Sequence, residues 1–386
     1  MGYRKFRAQR VFTGKEFLTD CVLVTSTDGT VQELIRNAAN DTDAEQLDGL
    51  VCPGFVNAHC HLELSHMKGY IPEGTGLVDF VFKVITERHF EKEVILNAIN
   101  EAEREMMENG IVAVGDICNN PTTLLQKLRK NLYYHNFIEA SGYAPAVVPE
   151  RFKRSVDLFN VYAELYKAPQ GSNSIVPHAP YSVAEELFRS VAAFPGNQLL
   201  TMHNQEVQDE NELFKNKSGD FLRLYEKMKI DHSHFVAPGT SSLQATLPYF
   251  FSQQTLILVH NVATSEEDFQ FIAQRDTPEL YFCLCPNANL YISGTLPPVD
   301  LFIQHNCKIL LGTDSLASNH QLSILSEMNT LKQHFPHLTY EQMLPWATID
   351  GAKALGIDDK FGSFEQGKQP GVLLIDPSFK TVRRIL

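Results

Sequence analysis

Hydrophobic and polar positions follow two different rhythms along this chain. In its middle part, short and nearly continuous apolar runs recur at 51–57, 111–117, 133–140, 174–177, 199–203, 256–260, 281–285 and 309–312. Runs of that length without polar alternation read as strands buried on both faces, as in a parallel sheet. Between them, apolar residues fall at helical spacing over 91–109, 121–130, 152–166, 183–193, 211–228, 265–274, 299–305 and 321–334. Eight strand-helix repeats predict an α/β fold and favour a closed (β/α)8 TIM-like barrel over a doubly wound sheet. The chain ends differ from the middle. Runs at 3–12, 21–25 and 31–35, with the turn Thr27-Asp28-Gly29, and closing runs at 371–375 and 380–386 read as strands. They predict a small β-sandwich domain formed by both termini, residues 1–50 plus 360–386, beside a barrel of residues 51–359.

Composition narrows the partners. The 386 residues carry a formal net charge of −13, which lacks the basic footprint that nucleic acid or an anionic membrane surface requires. No apolar run approaches the roughly 18 residues of a membrane span, and no basic-then-apolar leader opens the chain. The cysteines, at 21, 52, 60, 118, 283, 285 and 307, are odd in number and lack repeated Cys-x-x-Cys spacing, which fits reduced thiols. The expectation is a cytoplasmic protein that meets a small-molecule substrate, with no nucleic acid and no membrane partner. A homodimer is left open.

Candidate chemistry lies at the carboxyl ends of the predicted strands, where a barrel keeps its active site. His59 and His61 close the first strand, and on a strand residues two apart point to one side. His178 follows the fourth, His203 ends the fifth, His260 ends the sixth, and Asp314 follows the eighth. Each histidine taken singly reads equally well as a satisfied structural residue. Together at one rim they are hard to explain by packing, because buried polar groups cost free energy unless paired. His59, His61, His203 and Asp314 make a ligand set for one divalent metal ion with a position left for water; zinc is the first expectation, with iron or manganese as alternatives. Glu206, three residues past His203, either moves protons beside that ion or simply opens the acidic surface helix of Asp209, Glu210 and Glu212. Glu139 at the third strand end is a weaker candidate for bridging a second ion. Lys68, Arg88, Arg151 and Arg154 lie near rim loops and could meet a substrate carboxylate.

Several segments combine into a specific resemblance: Pro53-Gly54-Phe55-Val56-Asn57-Ala58-His59-Cys60-His61, His178-Ala179-Pro180-Tyr181-Ser182, His203-x-x-Glu206, Val259-His260, Cys285-Pro286-Asn287-Ala288-Asn289 and Gly312-Thr313-Asp314-Ser315-x-Ala317-Ser318-Asn319. Over essentially its whole length the chain resembles the amidohydrolase superfamily, in the chlorohydrolase/deaminase branch that includes adenosylhomocysteine, guanine and aminodeoxyfutalosine deaminases. The resemblance implies that His59, His61, His203 and Asp314 bind one metal, that Glu206 shuttles protons, and that His260 orients the attacking hydroxide or polarises the scissile centre. It further implies that His178 contacts the substrate and that Asp314 also accepts a proton from water on the metal. No lysine stands at Val176-Pro177-His178, where metal-bridging members carry one, so a mononuclear site is favoured. The implied reaction is hydrolytic deamination of an aminopurine-type nucleoside by metal-activated hydroxide, with release of ammonia. The segments Leu62-Glu63-Leu64-Ser65-His66-Met67-Lys68-Gly69 and Gly74-Thr75-Gly76-Leu77-Val78-Asp79-Phe80 favour aminodeoxyfutalosine, of the menaquinone route. Alternatives are hydrolysis of a cyclic amide or of a chlorohydrolase-type substrate, and a metal-binding barrel without catalysis.

Overall fold

In the computed structural model, which describes residues 2–38, 43–167 and 171–386, the two chain ends share one sheet. It contains β1 (Tyr3–Phe12), β2 (Phe17–Leu18), β3 (Val22–Ser26), β4 (Val31–Ile35) and β5 (Glu45–Cys52), and is completed by Leu373–Ile375 and Val382–Arg384. The expected turn at Thr27-Asp28-Gly29 joins β3 to β4, with Gly29 at φ 87° and Ser26 bonded to the Asp28 carboxylate. Hydrogen bonding links all seven strands into a single sheet where two packed sheets were expected. The reason is the length of β1, which pairs antiparallel with β3 along Tyr3 to Arg7 and parallel with β5 from Phe6 to Val11. Phe6, Val11, Leu23, Val31, Leu47, Val51 and Val372 form this unit's own apolar cluster.

The apolar run leading to His59 is not one strand. Pro53 cannot donate to a ladder, and Gly54 N–H turns away to the carbonyl of Pro370 at 2.9 Å. The run therefore divides into β5, which belongs to the terminal sheet, and β6 (Phe55–Cys60), which begins the central α/β region. There, β6, β7 (Ile111–Cys118), β8 (Tyr133–Ala140) and β9 (Gly171–Pro177) form one parallel sheet. A second comprises β10 (Leu199–Asn204), β11 (Thr255–His260), β12 (Glu279–Leu284) and β13 (Lys308–Leu311). Six of these eight strands keep at least their last four residues buried, as the continuous apolar runs predict. The sheets meet at both edges. His203 N–H donates to the His178 carbonyl (2.9 Å), and Thr313 and Asp314 N–H groups both reach the His59 carbonyl (3.1 Å each). Gly312 makes the second approach possible, since a Cβ there would lie 2.9 Å from that of His59.

Helices separate the strands as expected, with three instructive differences. The helix at 211–228 is two, 208–216 and 221–228, because Lys217 (φ 53°) and Gly219 (φ 89°) turn left-handed between them. A helix over Leu77–Glu87, α1, was not anticipated, nor was one over Pro286–Ser293. The run LVDFVFKVITE of α1 is dense in β-branched and aromatic residues, which weakens a helical signal. Its buried Leu77, Val78 and Phe80 supply the tertiary packing that decides the matter. Among the described residues no helix is long and apolar enough to cross a membrane.

Candidate metal and active site

His59 sits inside β6, where its carbonyl is held by two amides of the 313–314 turn. His61 lies one residue beyond the strand, at φ −120° and ψ 78°. His203 is next to last in β10. Together with Asp314 they converge from both sheets. His61 Nε2 lies 3.2 Å from His59 Nε2 and 3.1 Å from His203 Nε2, and Asp314 Oδ1 stands 3.6 Å from His59 Nε2 and 3.5 Å from His61 Nε2. All four residues are buried.

This arrangement can be tested as a metal site on its own terms. His203 Nδ1–H donates to the His178 carbonyl at 2.9 Å, which leaves its Nε2 as a bare lone pair facing two other imidazoles. Burial holds the pKa of His203 well below the ordinary histidine range, and the neighbouring imidazoles add to the shift. His61 is also lowered, mainly by burial. Neutral rings with converging lone pairs do not satisfy one another, but they suit a cation. Donors about 2.1 Å from a tetrahedral zinc would lie about 3.4 Å apart, close to the separations seen here. Three imidazoles and a carboxylate therefore fit a divalent metal ion. Ser318 Oγ donates to Asp314 Oδ2 at 2.5 Å and orients that carboxylate.

Glu206 and His260 occupy the same floor. His260 Nε2 is 3.6 Å from Glu206 Oε1, and the Asn289 amide, as oriented, donates to His260 Nδ1 at 3.1 Å. The His260 proton then sits on Nε2, facing Glu206. Burial pushes His260 down to about 3 and pushes Glu206 well above the carboxylate range, helped by the charges of Asp314 and Glu210. Glu206 thus lies buried beside His260, not on the surface face of the following helix. His178 Nδ1 pairs with Ser182 Oγ at 2.6 Å, and its ring borders the cavity.

Backbone strain marks the same places. Gln205, His260, Asn261 and Asp314 all have φ between 47° and 74° without being glycine, conformations that cost on the order of 1–3 kcal/mol each and persist only when neighbours enforce them. Glu210 accepts Gln205 N–H (2.8 Å), the Asn261 amide donates to the Leu258 carbonyl (2.8 Å), and Asn57 accepts Thr313 N–H (3.0 Å). These turns lift the functional side chains off the strand ends into the cavity.

That cavity measures about 760 Å³. Its floor holds His61, His178, His203, Glu206, His260 and Asp314; Leu77, Phe80, Val81 and Val84 of α1 form an apolar wall; Arg88, Arg151 and Arg154 also line it. No ion pair among the described residues involves Arg151 or Arg154, whereas Arg88 lies 3.6 Å from the buried Glu63. Lys68, expected near the rim, pairs instead with Glu105 at 3.3 Å and does not line the cavity. Glu139 is brought in: Oε1 lies 3.8 Å from His203 Nδ1, and Oε2 accepts from the Asn119 amide at 2.8 Å. Ser318 and Asn289 carry positioning roles that their short motifs contained without revealing.

Known proteins resemble this chain in sequence and in fold. A 5-methylthioadenosine/S-adenosylhomocysteine deaminase of Pyrococcus abyssi is 26% identical over 90% of this chain and 79% of the relative. The structure of Helicobacter pylori aminofutalosine deaminase in complex with methylthio-coformycin superposes with a TM-score of 0.82 at 21% identity, covering 99% of this chain and 100% of that one. An adenosine deaminase from Xanthomonas campestris with bound zinc gives 0.73 at 21% identity, over 97% and 84%. The profile of the amidohydrolase family matches residues 50–384, from the strand before the first histidines to the closing strand. The chain belongs to the amidohydrolase family, as a hydrolase acting on carbon–nitrogen bonds.

Proposed function

We propose that this protein is a metal-dependent hydrolytic deaminase of an adenine-type nucleoside. The observation that carries this reading is the facing pair Glu206 and His260, set 3.6 Å apart beside four converging metal donors. A barrel that only bound metal would have no use for a proton-exchanging carboxyl buried there. His59, His61, His203 and Asp314 would hold the ion, which lowers the pKa of a neighbouring water toward about 7. Zinc is favoured, because the Xanthomonas campestris neighbour carries it. Water oxygen adds to the amine-bearing ring carbon as the electron pair of the ring C=N bond moves onto the ring nitrogen, and return of that pair breaks the bond to the exocyclic amine. Glu206 takes the proton from water and delivers it to the departing nitrogen, which leaves as ammonia. His260 Nε2–H donates to the oxygen as negative charge develops, and His178 contacts the ring. A single ion suits the site, because His203 Nδ1 already donates to a carbonyl and offers no lone pair to a second.

We read the two parallel sheets as halves of one (β/α)8 barrel, residues 51–359, with the terminal sheet, residues 1–50 plus 360–386, as a small separate domain. Edge contacts at His178–His203 and at His59–Asp314 support closure.

Aminodeoxyfutalosine, of the menaquinone route, remains the favoured substrate, supported by the Helicobacter pylori neighbour. The cavity adds a physical reason: the apolar residues of α1 share its lining with Arg151 and Arg154, which form no ion pair among the described residues. That suits a nucleoside with a carboxylate at the end remote from its amine. Ammonia release across aminopurine nucleosides with and without such a carboxylate tests both levels of the reading. The carboxylate-bearing member should have the highest kcat/KM, a metal chelator should abolish turnover, and added divalent ion should restore it. Ammonia from none of them, with release from a cyclic amide or loss of chloride from a chlorinated ring, would overturn the assignment. Arg151→Met/Arg154→Met should raise KM for the anionic substrate about 10-fold or more, the scale of a lost charged hydrogen bond, while kcat for the uncharged analogue stays unchanged.

A further inference from the structure

Beneath the floor lies a charged pair that the proposed reaction does not use. Asp116 in β7 and Lys127, both with fully buried side chains, meet at 2.5 Å between Nζ and Oδ2. Lys127 also donates to Asn136 Oδ1 at 2.7 Å and to Cys118 Sγ at 3.1 Å, so its three protons have three acceptors. Burial alone would lower the Lys127 pKa, but the adjacent Asp116 carboxylate holds it well above the ordinary range. A sealed ion pair is weak evidence of stability, because apolar residues of similar volume often serve as well or better. Something other than stability needs explaining.

The other oxygen of Asp116 supplies it. Asp116 Oδ1 accepts the N–H of Leu62 at 2.8 Å, the amide directly after His61. Of the three clustered imidazoles, His61 is the one that stands outside a strand. His59 sits in a strand with its carbonyl bonded twice, and His203 has its Nδ1 fixed by a carbonyl. His61 stands past the end of β6: its carbonyl accepts the Leu64 N–H at 3.0 Å, and its ring meets His59, His203 and Asp314 through Nε2 alone. A shift of the chain at Leu62 would therefore move the His61 ring directly.

We propose that Asp116 is a positioning residue for the ligand His61, pinning the amide that follows it, and that Lys127 serves to neutralise the buried carboxylate that does so. The inference rests on the metal reading of the site, and the experiment separates the two. Zinc dissociation constants are measured by competition with a chromophoric chelator, alongside the cobalt(II) absorption spectrum and the melting temperature. The proteins compared are the wild type, Asp116→Asn/Lys127→Met and Asp116→Leu/Lys127→Met. Both variants remove both charges, so neither leaves a lone buried ion, but only the asparagine keeps an acceptor for Leu62. The leucine variant should bind zinc roughly 10- to 100-fold more weakly, the scale seen when groups that orient ligands are removed, with an altered cobalt spectrum. The asparagine variant should stay within a few-fold of the wild type. Equal zinc affinity in the two folded variants, whether both retained or both weakened, overturns the proposal. If leucine prevents folding, Asp116→Ala takes its place in the same comparison. A wild type that binds no divalent ion overturns the metal reading itself.

Discussion

His203→Ala is expected to purify folded, without a divalent ion, and with turnover at background. His59→Ala should behave alike. His61 Nε2 lies within a few tenths of an ångström of the spacing a small divalent ion imposes on its donors, from both His59 Nε2 and His203 Nε2. Removing any one leaves two rings and a carboxylate, too few to hold the ion against water. The loss of affinity should exceed the roughly 10- to 100-fold that outer partners cost. Elemental analysis of each purified variant, with circular dichroism to establish folding, gives the answer. The proper control is an equally buried histidine outside the cluster. His135 in β8 is buried, is pushed down to about 3 by burial, and bonds Ser174 Oγ at 2.8 Å and Ser172 Oγ at 2.6 Å. His135→Ala should lower the melting temperature and keep the full metal complement. A full complement in His59→Ala or His203→Ala would remove the ligand assignment, whatever the control does.

The contrast between His135 and His203 also shows what the sequence could and could not reveal. Both lie in apolar runs, and burial by itself does not separate a ligand from a structural residue. What separated them was position: His203 is next to last in its strand, whereas His135 is third of eight residues in β8. Strand ends are readable from apolar runs, so the rim was readable, and with it His59, His61, His178, His260 and Asp314. The boundary between β5 and β6 was not, because one apolar run serves two sheets and only the Pro53-Gly54 break marks the change. Nor was α1, whose β-branched and aromatic composition reads as strand or loop until Leu77 and Phe80 find their packing. Lys127 and Asp116 escaped for another reason. They meet across a strand-to-helix connection, and nothing in the local pattern shows that a lysine closing the short helix Leu124–Lys127 turns inward.

Glu206→Gln is expected to keep its metal and lose turnover by roughly 10²- to 10⁴-fold, the contribution of a positioned proton-transfer group. Glutamine preserves the shape of the side chain and cannot carry a proton from water to a leaving amine, so kcat should fall with little change in KM. His260→Asn should also lower kcat, and the double variant should cost little more than the worse single one, because both groups serve one developing adduct. The same substitution has a second consequence that ordinary damage would not produce. Burial, with Asp314 and Glu210 nearby, raises the Glu206 pKa in the folded protein well above its unfolded value. A carboxyl raised in this way favours the folded state while protonated, and that advantage is lost as pH climbs from the unfolded value of about 4.3 toward the folded one. Glutamine stays neutral throughout. Metal-free Glu206→Gln should therefore melt higher than the metal-free wild type near pH 8, with the gap shrinking as the pH is lowered to 5. Wild-type turnover in a fully loaded variant would end the proton-shuttle role. A melting gap independent of pH would show that Glu206 titrates as an ordinary surface carboxylate, and the site would then lack the buried acid on which deamination depends.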